Sequence, residues 1–296
     1  MEIAAPEFDL ALTLDSGQTF HWDSLGAGFV GTIGESAVYV EQRAGRLLVR
    51  GIDAAGARNY FALDHSLEEI CAAFPSDPAM CSARDFCSGL RIMRQPIWEC
   101  LASFITSSMK QVAHIRQMSR ALRERFGSRL MIDGTQVHAF PTAERIACAT
   151  EAELRGCALG YRAKNLHATA ERVSSGAAKL ESWRRLSDDE LRARLCELPG
   201  VGAKVANCVM LFAYERLRAF PIDVWIERVL MEKYFSRRRR VTAAELREFC
   251  DSYFGEHGGY AQQYLFHHAR KTTSRKRVKP KAVVATRRLR TPTLSS

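Results

Sequence analysis

The sequence predicts an α+β protein in which an N-terminal antiparallel β-sheet packs on a helical domain. Between residues 8 and 51, short apolar runs of strand length are punctuated by glycines. After Arg58 the apolar spacing changes to that of helices, and several of those segments begin with Ser or Thr followed three residues later by Glu. The expected organisation is a β-rich piece at 1–92, a helical domain at 93–270 and a basic, disordered tail at 271–296.

Strands are expected at 8–14, 19–22, 28–33, 37–42 and 47–50, with Gly26, Gly34 and Gly45 at the turns. The capping pairs are Ser66/Glu69, Thr150/Glu153, Ser187/Glu190 and Thr242/Glu245. Helices are expected at 66–74, 95–108, 111–126, 151–157, 161–174, 188–197, 203–214, 224–235, 242–254 and 258–270. No repeat of solenoid length is present.

Composition narrows the function classes. With 296 residues, 47% of them hydrophobic, the chain can bury a sizeable core. No run of about 18 apolar residues is available to cross a bilayer. The start, Met1-Glu2-Ile3-Ala4-Ala5-Pro6-Glu7, is acidic where a signal peptide is basic, so a soluble intracellular protein without a membrane partner is expected. The nine cysteines are odd in number, scattered and never spaced C-x-x-C, which signals reduced thiols rather than a disulfide framework or zinc site. The net charge of +10 is concentrated at one end: residues 271–296 hold nine Lys or Arg and no acid, leaving 34 bases against 33 acids in the rest. Polyanion attraction is therefore local to the tail, the run Arg237-Arg238-Arg239-Arg240 and any one-sided patch the fold creates.

Chemistry is signalled where Pro199-Gly200-Val201-Gly202 joins two helical segments. Its glycines permit a tight turn whose amides can grip a phosphate, although any αα-hairpin can use such a turn. Lys204 stands in the first turn of the following apolar helix, where the dipole opposes a cation by about 0.3–1 kcal/mol. That field, with partial burial, favours the neutral, nucleophilic amine. Bringing an amine from about 10.4 to 7 takes roughly 4–5 kcal/mol, so desolvation must contribute. The alternative is a lysine that snorkels to solvent. Asp223, just before another helical segment, reads as an N-cap and also as a fixed, ionised carboxylate. An amine and a carboxylate together form the pair needed to displace a base from a sugar.

The segments Leu198-Pro199-Gly200-Val201-Gly202-Ala203-Lys204-Val205-Ala206 and Pro221-Ile222-Asp223-Val224 resemble the signature of helix-hairpin-helix DNA glycosylases with a lysine nucleophile. Four others resemble the 8-oxoguanine DNA glycosylase/lyase branch: Ser16-Gly17-Gln18-Thr19-Phe20-His21-Trp22, Ser103-Phe104-Ile105-Thr106-Ser107-Ser108, Leu159-Gly160-Tyr161-Arg162-Ala163-Lys164 and Ala261-Gln262-Gln263-Tyr264-Leu265-Phe266. The similarity runs in order from about residue 8 to 270. It implies an N-terminal glycosylase domain packed on a helix-hairpin-helix catalytic domain, acting as a monomer on double-stranded DNA that contains oxidised guanine.

By this resemblance the damaged nucleotide is flipped out. Lys204 attacks C1′ and Asp223 assists. Gly17 offers its carbonyl to N7–H of 8-oxoguanine, a proton guanine lacks; an opposed pair of acceptors costs about 1–3 kcal/mol. Gln262 reads the Watson–Crick edge, and Phe266 and Cys208 sandwich the ring. Pro199, Gly200, Val201, Gly202, Tyr161, Arg162 and Trp225 face the DNA, and Met109, Lys110 and Tyr161 fill the gap. The carbonyls of Cys196, Leu198 and Val201 match positions that hold K⁺ or Na⁺. Neither a required cofactor nor an iron–sulfur cluster is implied.

The chain departs from the eukaryotic pattern at Met109-Lys110-Gln111, which replaces consecutive asparagines, and at His114, which replaces an arginine facing the orphaned cytosine. Strict preference for opposite cytosine is therefore not carried over. Trp225 replaces a phosphate-contacting histidine. Endonuclease III-like relatives carry four clustered cysteines after the aspartate, whereas only Cys250 follows Asp223 here. Alkylpurine enzymes generally lack the lysine, and a non-catalytic helix-hairpin-helix binder has no use for paired Lys204 and Asp223. Such an enzyme works in the bacterial cytoplasm or nucleoid, or in a eukaryotic nucleus, with the tail as DNA tether or nuclear address.

Removing residues 271–296 is expected to weaken nonspecific DNA binding and flatten its salt dependence while leaving single-turnover chemistry intact. An unchanged salt slope in equilibrium binding counts against the tether.

Overall fold

A computed structural model describes residues 1–238 and 240–272; the expected tail from residue 273 onward, and Arg239 in the arginine run, lie outside the described residues. The first layer is a five-stranded antiparallel sheet, ordered β1 (Glu2–Ala4), β5 (Arg46–Arg50), β4 (Ser36–Arg43), β3 (Gly28–Ile33), β2 (Asp23–Leu25). Gly34 (φ +56°) and Gly45 (φ +73°) turn the two central hairpins, as their positions between strands predict.

Two expected strands are corrected. Residues 8–14 hold a helix instead, α1 (Leu10–Asp15), because Asp9 caps it by accepting from the Leu12 amide at 2.8 Å. Its buried residues Leu10, Thr13 and Leu14 have helical spacing. Residues 19–22 form no strand: His21 turns its Nε2 to the Thr32 carbonyl at 2.8 Å, and Trp22 lies flat against Gly31, where any Cβ would come within 2.8 Å of the indole. The sheet's edge is supplied by β1, pairing with β5.

The helical part comprises α2 (Ala54–Tyr60), α3 (Leu67–Ala72), α4 (Pro78–Phe86), α5 (Ile97–Ser107), α6 (Val112–Phe126), α7 (Ala143–Ala147), α8 (Glu151–Leu154), α9 (Arg162–Ser174), α10 (Asp188–Cys196), α11 (Ala203–Phe212), α12 (Val224–Val229), α13 (Ala243–Tyr253) and α14 (Gly258–Thr272). Both halves of the capping box form at Thr150, Ser187 and Thr242. At Ser66 the hydroxyl accepts from the Glu69 amide at 3.3 Å. α2, α4 and α7 add to the expected helices; Asp77 with Pro78 at the first helical position starts α4. A further hairpin, β6 (Arg129–Ile132) and β7 (Thr135–His138), turns at Asp133 and Gly134, both with positive φ. The helices expected at 151–157 and 224–235 are each interrupted, running into π-turns at Arg155–Leu159 and Leu230–Tyr234. Among the described residues no helix is long and apolar enough to cross a membrane.

One apolar cluster joins the sheet face to α1 and α2 through Ile3, Leu14, Trp22, Val40, Val49 and Phe61. A larger one fills the helical layer and takes in Leu67 to Leu90 as well as α5, α9, α11 and α14. Each fully buried aliphatic or aromatic side chain here contributes about 1.5–3 kcal/mol.

A buried polar knot ties the layers together. Arg123 on α6 is ion-paired with Glu99 on α5 and donates to Thr32 Oγ1 on β3 at 2.7 Å and to the His138 carbonyl on β7 at 3.1 Å. Burial pushes the Glu99 carboxyl up, against the pull of Arg123. Burial, with the neighbouring Arg123, pushes His21 well below its usual value, so the imidazole is neutral at pH 7. Arg123→Leu should strand Glu99 and cost about 3–5 kcal/mol in chemical denaturation. Arg123→Leu with Glu99→Leu should recover most of that loss; a double variant as unstable as the single one would show that the charge is not the cause.

Candidate active site

α10, the turn and α11 form the expected helix–turn–helix. The Val201 amide closes the turn onto the Leu198 carbonyl at 3.1 Å. Gly200 (φ +81°) cannot be replaced freely, because a Cβ would lie 2.8 Å from Asn165 Cβ on α9. From α9, Thr169 donates to the Pro199 carbonyl at 3.0 Å and Arg172 to the Glu197 carbonyl at 2.8 Å. Gly202 is the N-cap of α11; a Cβ there would meet open space, and no side chain caps the helix. The first amides of α11 are thus left for water or an anion.

From Val205 to Phe212 every residue of α11 is buried, so only its first turn reaches the surface. Lys204 sits there, half-buried, with Nζ 5.2 Å from the centroid of the Phe104 ring. Phe104 in turn stacks on Phe212 at 5.4 Å. One turn beyond Lys204, the Cys208 thiol is pushed up to about 11, chiefly by burial. It is a neutral thiol at physiological pH.

Asp223 caps α12: its Oδ1 accepts from the amides of Trp225 (3.0 Å) and Ile226 (2.9 Å), which leaves Oδ2 out of the cap. Burial pushes this carboxyl up from its ordinary value, with the Ile226 amide and then Lys204 pulling it down. Desolvation is the largest influence on it.

Lys204 and Asp223 line one cleft, with about 320 Å³ of open space. Gly17, Gln262, Phe266 and Cys208 line the same cleft, together with Phe104, Phe212, Pro221 and Gln263. Gly17 comes from the loop after α1 and Gln262 and Phe266 from α14, so residues 245 positions or more apart meet. Gly17 has φ +88°, and a Cβ there would lie 3.1 Å from Phe266 Cε1. Gln262 is buried, and its Oε1 has no hydrogen-bond partner among the described residues. A buried acceptor left open costs about 1–3 kcal/mol, a cost that a donor entering the cleft can relieve.

A second group stands apart from the cleft. Met109 is 93% exposed with φ +57°, a conformation uncommon for a side-chain-bearing residue. Lys110 and His114 are exposed beside it, and Tyr161 is exposed on the turn before α9. Arg162 is buried: its Nε donates to the Ser108 carbonyl at 2.8 Å and its guanidinium lies 4.4 Å from the Tyr161 ring centroid. It links the Met109 loop to the Tyr161 turn. Trp225 is partly buried, with the Arg228 guanidinium 5.2 Å from its ring.

Residues 1–101 match the N-terminal domain of 8-oxoguanine DNA glycosylase, and residues 102–252 match the HhH-GPD superfamily of base excision DNA repair proteins. The chain belongs to the 8-oxoguanine DNA glycosylase family. The glycosylase is 32% identical to the N-glycosylase/DNA lyase OGG1 of Arabidopsis thaliana, over 90% of this chain and 78% of that protein. A probable N-glycosylase/DNA lyase of Methanothermobacter thermautotrophicus is 28% identical over 92% of this chain and 96% of its own. In three dimensions the glycosylase superposes on the Clostridium acetobutylicum 8-oxoguanine glycosylase/lyase, solved with double-stranded DNA containing cytosine opposite 8-oxoguanine. That match has a TM-score of 0.84 at 33% identity and covers 89% of this chain and 92% of the other.

Sequence reasoning gave no role to Phe104 or Gln263, both in the cleft wall of the glycosylase. The signal for Gln263 was its place beside Gln262 on a helix that carries Phe266 one turn on. A wider hollow, with about 1320 Å³ of open space, lies between β3, α6 and β7 and is lined by Thr32, Arg116, Arg120, Arg123 and His138. Neither Lys204 nor Asp223 lines it. Among the described residues no cluster of three or more His, Cys, Asp or Glu is arranged to hold a metal ion.

Proposed function

We propose that this protein removes 8-oxoguanine from double-stranded DNA as a bifunctional glycosylase and β-elimination lyase, acting as a monomer. The observation that carries this is the convergence of Lys204, Asp223, Gly17, Gln262, Phe266 and Cys208 on one cleft. The lesion is extruded because its glycosidic bond is out of reach inside the stack. The free amine of Lys204 bonds to C1′ as the N9–C1′ bond breaks and its electron pair leaves with the base. Asp223, with one oxygen held in the cap, stabilises positive charge developing on the sugar. Opening of the sugar ring gives a Schiff base, and loss of a C2′ proton then expels the 3′ phosphate.

Recognition is by hydrogen-bond polarity. The open Oε1 of Gln262 suits the N–H donors on the Watson–Crick edge of a purine lactam. The Gly17 carbonyl accepts from N7–H, which 8-oxoguanine has and guanine lacks. Phe266 and Cys208 enclose the ring, and the neutral thiol suits an apolar face. Met109, Lys110 and Tyr161 fill the vacated space, Arg162 holds the two loops in place, and His114 lies on the side of the opposite base. Pro199 to Gly202 and Trp225 face the backbone.

The Glu197 and Pro199 carbonyls are turned to α9 by Arg172 and Thr169. Those of Cys196, Leu198 and Val201, of which Leu198 also accepts from the Val201 amide, would hold K⁺ or Na⁺, adding positive charge at the phosphate-gripping turn. The cellular site is wherever the DNA lies, the bacterial nucleoid or a eukaryotic nucleus.

Borohydride is expected to trap the wild-type protein covalently on an 8-oxoguanine duplex and to trap no Lys204→Gln; undiminished trapping in that variant would rule out the nucleophile. Because burial raises the Asp223 carboxyl, single-turnover excision should fall on acidification at a pH above the ordinary aspartate value of about 3.9. Asp223→Asn should slow excision by about 10²–10³-fold and change the acid limb of the profile. An unshifted limb in a pH–rate profile would contradict the assignment.

A further inference from the structure

Four successive carbonyls, from Asp15 to Gln18, run along the loop that carries Gly17 into the cleft. Side chains from other parts of the chain anchor three of them. Arg270 donates through Nη2 to the Asp15 carbonyl, Gln263 through Nε2 to Ser16 at 2.9 Å, and Gln95 through Nε2 to Gln18 at 2.7 Å. Gly17, third in the row, is the one whose carbonyl takes none of these anchors. Gln263 and Arg270 stand on α14 to either side of Phe266, three residues before it and four after, and so share its face.

Arg270 is itself held in place. Its guanidinium faces the Asp15 carboxylate at 3.6 Å, which Lys271 and Arg116 also approach. It lies 5.7 Å from the Phe266 ring centroid, and its Nη1 is 3.5 Å from the place a Gly17 Cβ would occupy.

The peptide between Gly17 and Gln18 turns about ψ of Gly17 and φ of Gln18, and with no Cβ on Gly17 the first of these is only loosely restrained. Rotation would replace the Gly17 carbonyl at the cleft by the Gln18 N–H. An acceptor there prefers N7–H of 8-oxoguanine, whereas a donor prefers the bare N7 of guanine. Selectivity thus depends on a torsion that glycine alone does not fix.

We propose that Gln263 and Arg270 are positioning residues for lesion discrimination, pinning residues 15–16 so that the peptide after Gly17 keeps its carbonyl toward the base. This rests on the reading of Gly17 as the N7–H acceptor. The role differs from that of Lys204, since neither residue acts on the sugar.

The test compares the full chain with Arg270→Met, Gln263→Met and Arg270→Lys. Three readouts are single-turnover excision of 8-oxoguanine opposite cytosine, its inhibition by an undamaged guanine duplex, and strand scission at a preformed abasic site, which requires no base recognition. Both methionine variants are expected to lose tenfold or more in excision and to be inhibited more strongly by undamaged duplex. Abasic scission should fall by much less than excision, and Arg270→Lys should recover much of the loss. Parallel loss of excision and abasic scission, or unchanged excision and inhibition in Gln263→Met, overturns the proposal; should Arg270→Met not fold, Gln263→Met decides alone. A wild-type protein that cuts abasic DNA but does not prefer 8-oxoguanine to guanine refutes instead the Gly17 reading beneath it.

Discussion

The structure is organised around a lysine at the first turn of a helix that is otherwise buried. Because α11 is enclosed from Val205 to Phe212, its N-terminus is the single place where it meets the surface, and Lys204 must emerge there. The dipole opposes a cation at that end, the aromatic face of Phe104 lies 5.2 Å from Nζ, and the Asp223 carboxylate is close enough to be pulled down by the lysine. The hairpin turn exists in this form because a backbone must pass close to α9 at Gly200 while its next amides stay uncovered at Gly202. One geometric demand thus sets the places of Lys204, Asp223 and the turn between α10 and α11.

The second requirement is rigidity where selectivity is decided. The cleft is assembled from an N-terminal loop, the hairpin helix and the last helix, and its polar groups are treated in opposite ways. The Ser16 and Gln18 carbonyls are hydrogen-bonded, while Gln262 Oε1 is buried and left open among the described residues. An open acceptor in a protein interior is destabilising, so its place in the cleft favours a ligand with a donor over water loss alone. The knot of Arg123, Glu99 and Thr32 holds the sheet against α5 and α6, which keeps the N-terminal loop in register with the helices. The same pattern recurs away from the cleft, where buried Arg162 fixes the strained Met109 loop beside Tyr161.

Much of this was legible along the chain because it is local. The three complete capping boxes, the strand Gly28–Ile33 and the hairpin each depend on residues within a few positions of one another. The errors are local signals in competition. Residues 8–14 satisfy both periods, and the Asp9 cap favours helix. Residues 19–22 have strand composition, yet their hydrogen bonds are spent on side-chain contacts with β3. The hairpin of β6 and β7 is short and half-exposed, so its alternation is weak.

By itself the sequence determined the place of Lys204 at a helix start, the helix-capping carboxylate of Asp223 and the turn between helices, since these are properties of contiguous segments. Tertiary structure alone decided that Gly17 lies against Phe266, that Arg162 is buried, that Gln262 keeps an open acceptor and that desolvation raises the Asp223 carboxyl. Each of these depends on what is packed against the group, and the packing partner is supplied by chain that lies tens to hundreds of residues away.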